Sequence, residues 1–171
     1  MKKISLLFAL MATGIIFLGV TSCREKENTT TDETAIRAIY KEFSEAIAAK
    51  NLKKIMSVYT TGDELLVFDA FTPRQYNGAS AYQKDYEGFF ASFPGPAKST
   101  VSNLNIKVSG NLAYTSCIDQ WTITGADNKP IDMLFRCTEV LEKRNDKWLI
   151  IHEHISFPVD PASGKADYLS K

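Results

Sequence analysis

Apolar positions in the first half of the chain recur every three or four residues, and in the second half every two. Ala35, Ile36, Ile39, Tyr40, Phe43, Ala46 and Ile47 make one helical stripe, opened by the capping-box spacing Thr30-x-x-Glu33. Asn51 is placed to cap a short second helix with Leu52, Ile55, Met56 and Tyr59 on its buried side. "ELLVFDAF", Glu64 to Phe71, reads as a buried strand. The turn-rich "TPRQYNGAS" then leads into a third helix, on which Tyr82, Tyr86, Phe89, Phe90 and Phe93 are spaced for packing, and "FPGP" ends it. From Lys98 the period is two: Leu104, Ile106 and Val108 alternate with Asn105 and Lys107. Leu112 to Thr124, Pro130 to Lys143 and Lys147 to Phe157 follow as strands joined by "GADNK" and "RND", an antiparallel meander. Helices first and a meander afterwards predict an α+β fold, a curved antiparallel sheet with the N-terminal helices on one face.

The start of the chain follows another rule. "MKKISLLFALMATGIIFLGVTSC" carries Lys2 and Lys3, an apolar run from Ile4 to Val20, and small residues before Cys23, the order of a secretory leader. The run also approaches the length of the shortest membrane spans. "VTSC" resembles a bacterial lipobox, which implies cleavage before Cys23, acylation of that cysteine and a lipid-anchored protein of the bacterial cell envelope. "REKENTTTDET" reads as a polar tether. The expected organisation is therefore a leader at 1–22, a lipidated cysteine and tether at 23–31, one domain at 32–160 and a tail at 161–171. With 20 basic and 20 acidic residues and no basic stripe, nucleic acid is excluded as a partner. Cys117 and Cys137 could pair by a disulfide after export. Two cysteines make neither a disulfide framework nor a zinc site by spacing, and no cofactor or metal is expected.

Three strings carry a family resemblance: "AIAAKNLKKIMSVY", "VFDAFTPRQYNGASAYQKDYEGFF" and "LEKRNDKWLIIHEHISFPVD". They resemble the nuclear transport factor 2-like superfamily, in its SnoaL-like and ketosteroid-isomerase-like branch. The last string is also similar to the association domain of calcium/calmodulin-dependent protein kinase II, where His-x-His follows a tryptophan. The resemblance implies a cone, or cystatin-like roll: a bent sheet around a long helix, with an apolar pocket at one end for a small molecule. It also implies a homodimer through the outer face of the sheet. Such a fold hosts enzymes, binding modules and assembly modules alike, so function rests on the site.

Asp69 ends an apolar strand between Phe68 and Phe71. Desolvation there raises a carboxyl's pKa and suits it to accept a proton near neutrality. "VFD" matches the segment carrying the base of ketosteroid isomerases; the other reading is an aspartate accepting backbone bonds in a turn. The isomerases' oxyanion tyrosine falls at Phe43, which has no donor, leaving Tyr40 one turn earlier, and their second donor falls near Glu139. A true steroid isomerase is therefore not expected. Phe43, Tyr59, Phe68, Phe71, Tyr86 and Phe90 are the expected aromatic lining, joined by Asp119, Phe135, Glu153 and Ile155 from the strands. If the hairpin is symmetric about Asp127, Cys117 and Cys137 lie opposite one another, with Asp119, Phe135 and Glu139 on their face. In the kinase association domain, arginines lie near the positions of Asp119 and Glu139. Acids here imply a neutral or cationic ligand rather than a carboxylate.

His152 and His154 share one face of the last strand, and one residue of register at "RND" decides which. A two-residue loop sets His152 across from Glu139; a three-residue loop sets Glu139 and Glu153 together, which the family's pattern favours. The expected dimer face then carries Trp148, His152 and His154. His-x-His as half of a metal site is the weaker alternative, since no third histidine exists. Three functions stay open: a ligand-binding module, an isomerase-, cyclase- or hydrolase-like enzyme with Asp69 as base, and an assembly module without chemistry.

Overall fold

The computed structural model describes residues 18–169, with side chains from residue 29. Residues 1–17, with most of the expected leader, lie outside the described residues. Helix α1 runs Leu18–Ala48, α2 Leu52–Met56 and α3 Ala79–Ser92. The strands are β1 Leu66–Phe68, β2 Tyr76–Asn77, β3 Ala97–Ser109, β4 Leu112–Thr124, β5 Pro130–Arg144 and β6 Lys147–Ser156. They form one curled sheet in the order β2-β1-β6-β5-β4-β3. From β6 to β3 it is the expected antiparallel meander; β1 joins β6 in parallel.

Three local expectations are corrected. Helix α1 does not start at the Thr30-x-x-Glu33 spacing but continues through it from Leu18, so the stretch read as a tether is helical. Its Arg, Glu and Lys residues are good helix formers, and such residues favour continuing a helix over breaking it. The strand expected over Glu64 to Phe71 is cut to three residues, because Asp69 and the turn after it leave the ladder. The 161–171 tail is partly tied down. The Leu134 N–H donates to the Tyr168 carbonyl at 2.8 Å, and the Tyr168 ring packs 4.7 Å from that of Phe157.

Asn51 caps α2 as expected, its side chain accepting from the Lys54 N–H at 3.1 Å. Gly78, at φ 87°, opens α3 with a conformation that only glycine adopts freely. Gly95 presses α3's exit against the sheet: a Cβ there would lie 2.8 Å from the Thr124 carbonyl oxygen. Ile36, Ile47, Ile55, Leu65, Val67 and Leu141 form a dry core between the helices and the concave face of the sheet. At one point α1 is bolted to β5 and β6 by a buried polar residue. Asp32 accepts from the Trp148 indole at 3.0 Å and from the Lys143 ammonium at 2.8 Å.

The β4–β5 hairpin is symmetric about Asp127, with Cys117 opposite Cys137 and Asp119 opposite Phe135. The β5–β6 hairpin holds a finding that neither loop length anticipated. Its turn has two residues, Asn145 and Asp146, both at positive φ, with Arg144 paired to Lys147. That register alone would set His152 across from Glu139. A bulge intervenes: Leu141 pairs Ile150 and Val140 pairs His152, so Ile151 is the extra residue. Beyond it Glu139 faces Glu153.

The bulge also separates Trp148 from the histidines. Trp148 and Ile150 point inward before it, while Glu153 points inward after it. The expected outer face of Trp148, His152 and His154 is therefore wrong in one member: Trp148 is 2% exposed and inside.

Candidate functional site: an acid-lined cavity

The concave sheet and helices α1 and α3 enclose a cavity of about 540 Å³. Strand alternation sends Cys117, Asp119, Trp121 and Ile123 of β4 into it, and Met133, Phe135, Cys137 and Glu139 of β5. Tyr40 and Phe43 enter from α1, Tyr82, Tyr86 and Phe89 from α3, and Glu153 and Ile155 from β6. Phe71, Lys84, Ile131 and Tyr168 are exposed lining residues and mark its mouth.

Six carboxyl groups line this space, Asp69, Asp85, Asp119, Asp132, Glu139 and Glu153, and three are almost wholly buried: Glu139 at 3% exposure, Glu153 at 5% and Asp119 at 6%. Each is held by hydroxyl or indole donors. Glu153 Oε2 accepts from the Tyr59 and Tyr82 hydroxyls, both at 3.0 Å. Glu139 Oε2 accepts from Thr115 Oγ1 at 2.6 Å and from the Tyr40 hydroxyl at 2.8 Å. Asp119 accepts from Ser99 Oγ at 2.8 Å and from the Trp121 indole at 2.7 Å. Lys84 is the one cationic side chain among the described lining residues, and it is exposed.

Burial without a counter-charge favours the neutral acid. Glu153 is pushed up to about 8, first by desolvation and then by the Glu139 charge across the strand pair. Glu139 and Asp119 are also raised by desolvation, against the pull of their hydroxyl and indole donors. Tyr40, Tyr59, Tyr82 and Tyr86 are all raised, by burial and by these same acids, so they stay protonated donors.

Asp69 lines the cavity half-buried. It combines a turn contact with a raised pKa. The Phe71 N–H donates to its Oδ1 at 3.0 Å, the turn contact, yet its pKa is raised by desolvation and by the nearby Asp85. The Tyr40 hydroxyl is turned to Glu139.

Eight of the ten expected lining residues reach the cavity: Phe43, Tyr59, Phe71, Tyr86, Asp119, Phe135, Glu153 and Ile155. Phe68 and Phe90 do not. Phe68 lies one position before Asp69 on β1 and so turns to the outer face, where its ring meets the edges of His152 and His154 at 5.2 and 5.7 Å. Phe90 turns aside on α3, under the Lys50 ammonium at 5.6 Å. His152 Nδ1 lies 2.9 Å from the Leu66 carbonyl oxygen, and no histidine belongs to a metal-ligating group among the described residues. Tyr82, Trp121 and Met133 were missed. The parity of Trp121 with Asp119 on one strand, and of Met133 with Phe135 on the next, was the signal available for the last two.

A curled sheet closed by helices over one cavity is an α+β fold of the cone type. The chain belongs to the SnoaL-like domain family, whose sequence profile matches residues 36–160. Among solved structures it is similar to an NTF2-like protein from Pseudomonas putida KT2440. The two are 26% identical, with a TM-score of 0.75, over 84% of this chain and 98% of that one. An NTF2-like superfamily protein from Salmonella enterica shares the fold at 18% identity and TM-score 0.71, over 81% of this chain and 99% of that one. A kinase II association-domain-like protein from Xanthomonas campestris shares it at 22% identity and TM-score 0.62, over 71% of this chain and 84% of that one. No curated protein matches the chain.

Proposed function

We propose that the domain binds one small, largely apolar molecule that is neutral or cationic, and that it excludes carboxylates. The observation that carries this is the set of six carboxyl groups, three of them buried, that line one largely apolar cavity whose single lining cation among the described residues is exposed Lys84. The volume of about 540 Å³ suits a drug-sized molecule. An anion entering would meet acids already unwilling to ionise together, whereas an amine or hydroxyl finds acceptors. The test is calorimetric titration of the full chain with three aromatic ligands of one shape: an alcohol, an amine and a carboxylate. Binding of the alcohol or amine with the carboxylate at least tenfold weaker supports the reading. The carboxylate binding tightest overturns it.

A second reading has its own support in Asp69, a half-buried carboxyl with a raised pKa at the cavity wall. There Asp69 would take a proton from a bound substrate, with Tyr40 or Glu139 of the same cavity lining as its partner. Substrate loss that disappears in Asp69→Asn while ligand binding persists would distinguish catalysis from binding. The surrounding organisation is proposed from the sequence: export, acylation at Cys23 and a homodimer through the outer sheet face. Light scattering at twice the chain mass would support the dimer, and a monomer at tens of micromolar would remove it.

A further inference from the structure

We propose that Cys117, Cys137 and Glu139 form a site for a thiophilic divalent ion of the zinc class, with its remaining position open to the cavity. Both sulfurs and one carboxylate oxygen of Glu139 lie within 4.8 Å of one another, and all three residues are buried. Spacing along the chain could not show this, because the third ligand comes from beside one cysteine and across the strand from the other.

The backbone speaks against the simpler fate of two facing cysteines. On β5 the Lys143 N–H donates to the Asn111 carbonyl, on the β4 side, while the Leu134 N–H donates to Tyr168, on the opposite side. By strand alternation, Cys137, like Lys143, turns its backbone groups to β4, so it and Cys117 are a hydrogen-bonded pair. Directly opposed residues of that kind hold their Cα atoms about 5.5 Å apart, with the Cβ atoms near the wide end of the cross-strand range. A disulfide accepts that Cα separation but wants Cβ atoms roughly 3.5–4.5 Å apart, so the Cβ spacing is what disfavours it. Two sulfurs bound to one tetrahedral zinc at about 2.3 Å are roughly 3.8 Å apart, a span these thiols can reach by side-chain rotation alone.

The carboxylate is already oriented. Thr115 and Tyr40 both donate to Glu139 Oε2, the outer hydrogen bonds that ligating carboxylates use. Three protein ligands and one open position is the arrangement of zinc sites that bind a further molecule. The balance is simple: one Zn²⁺ enters, two thiols become thiolates, and two protons leave, with a third if Glu139 was protonated. This goes beyond the ligand reading, and zinc uptake is measured with no organic ligand present, so either can fail alone.

The experiment uses the full chain, purified with reduced thiols and stripped of metal, and titrates it with Zn²⁺ and separately with Co²⁺. Expected are one ion per chain, a sulfur-to-cobalt charge-transfer band, and release of at least two protons per ion. Cys117→Ser and Cys137→Ser should abolish the band, and Glu139→Gln should weaken zinc at least tenfold. Should a variant not fold, the band and proton count of the unmodified chain decide. No uptake, uptake without the band, uptake unchanged in the double serine variant, or a Cys117–Cys137 disulfide in the freshly purified protein would each overturn the proposal.

Discussion

At the scale of single residues, the site is a contest between burial and hydrogen bonding. Glu153 is buried at 5% exposure, with its titration pushed up to about 8, whereas an unfolded glutamate titrates near about 4.3. Between those values the folded chain keeps a proton that the unfolded chain has lost. Stability from this group is thus full below the lower value and declines as pH rises through the window. Glu139, Asp119 and Asp69 face the same space and tilt the curve the same way, while Tyr59, Tyr82 and Tyr86 stay neutral throughout. Glu153→Gln keeps an acceptor for Tyr59 and Tyr82 and removes the charge. Its melting temperature in metal-free protein should match the parent near pH 5 and exceed it by several degrees at pH 9. An equal fall in both proteins would mean that Glu153 is not the buried acid. Asp69 differs because its turn bond needs only an oxygen acceptor. Asp69→Asn should hold or raise the melting temperature, and Asp69→Ala should cost about 1 kcal/mol. Thermal melts of both variants at neutral pH check this; a loss of many degrees in Asn would show that the charge itself holds the turn. Asp69 could be picked from the sequence as an acid ending an apolar strand, whereas Tyr40 and Glu139 were reached only through the resemblance to the isomerases. The Tyr82–Glu153 bond could not, because 71 residues separate its partners.

At the scale of elements, periodicity carried the reading furthest where strands are long. The β4–β5 register follows from one symmetric loop, and β5 and β6 end within a residue of their expected limits. It failed where one residue decides a face. The Ile151 bulge lets a two-residue turn coexist with Glu139 facing Glu153, and nothing in "LIIHEH" distinguishes a bulged isoleucine from a paired one. Phe68 and Phe90 failed for a related reason: an aromatic beside the cavity has the same composition as one lining it. The two-residue turn itself offers a clean test. Asn145 and Asp146 sit at φ 50° and 61°, the primed-turn conformation in which glycine is preferred second. A non-glycine residue in the left-handed region costs about 1 kcal/mol. Asp146→Gly should therefore stabilise by about 0.5–1 kcal/mol, read by urea unfolding, and Asp146→Val should destabilise by at least as much. If glycine destabilises, the turn is held by the aspartate side chain instead.

At the scale of the whole molecule, the cavity and the proposed anchor meet on one element. Helix α1 runs unbroken from Leu18 to Ala48, so the backbone that carries Cys23 also carries Tyr40 and Phe43 into the cavity wall. Among the described residues no helix is long and apolar enough to cross a membrane. The proposed attachment is a lipid on Cys23, with the apolar run before it removed. A single acyl chain gives only marginal binding and two or more hold a protein stably, so processing and acylation should act together. In a bacterial host, the parent chain should take up labelled palmitate, lose the mass of residues 1–22 and sediment with membranes. Cys23→Ser should remain unprocessed and take up no label, while its purified domain keeps the parent's melting temperature, since α1 is tied to the sheet by Asp32 and packs into the core through Ile36, well downstream of Cys23. Palmitate label on the serine variant, or a parent chain that is cleaved but unlabelled, would refute anchoring at this residue and leave the cavity reading untouched.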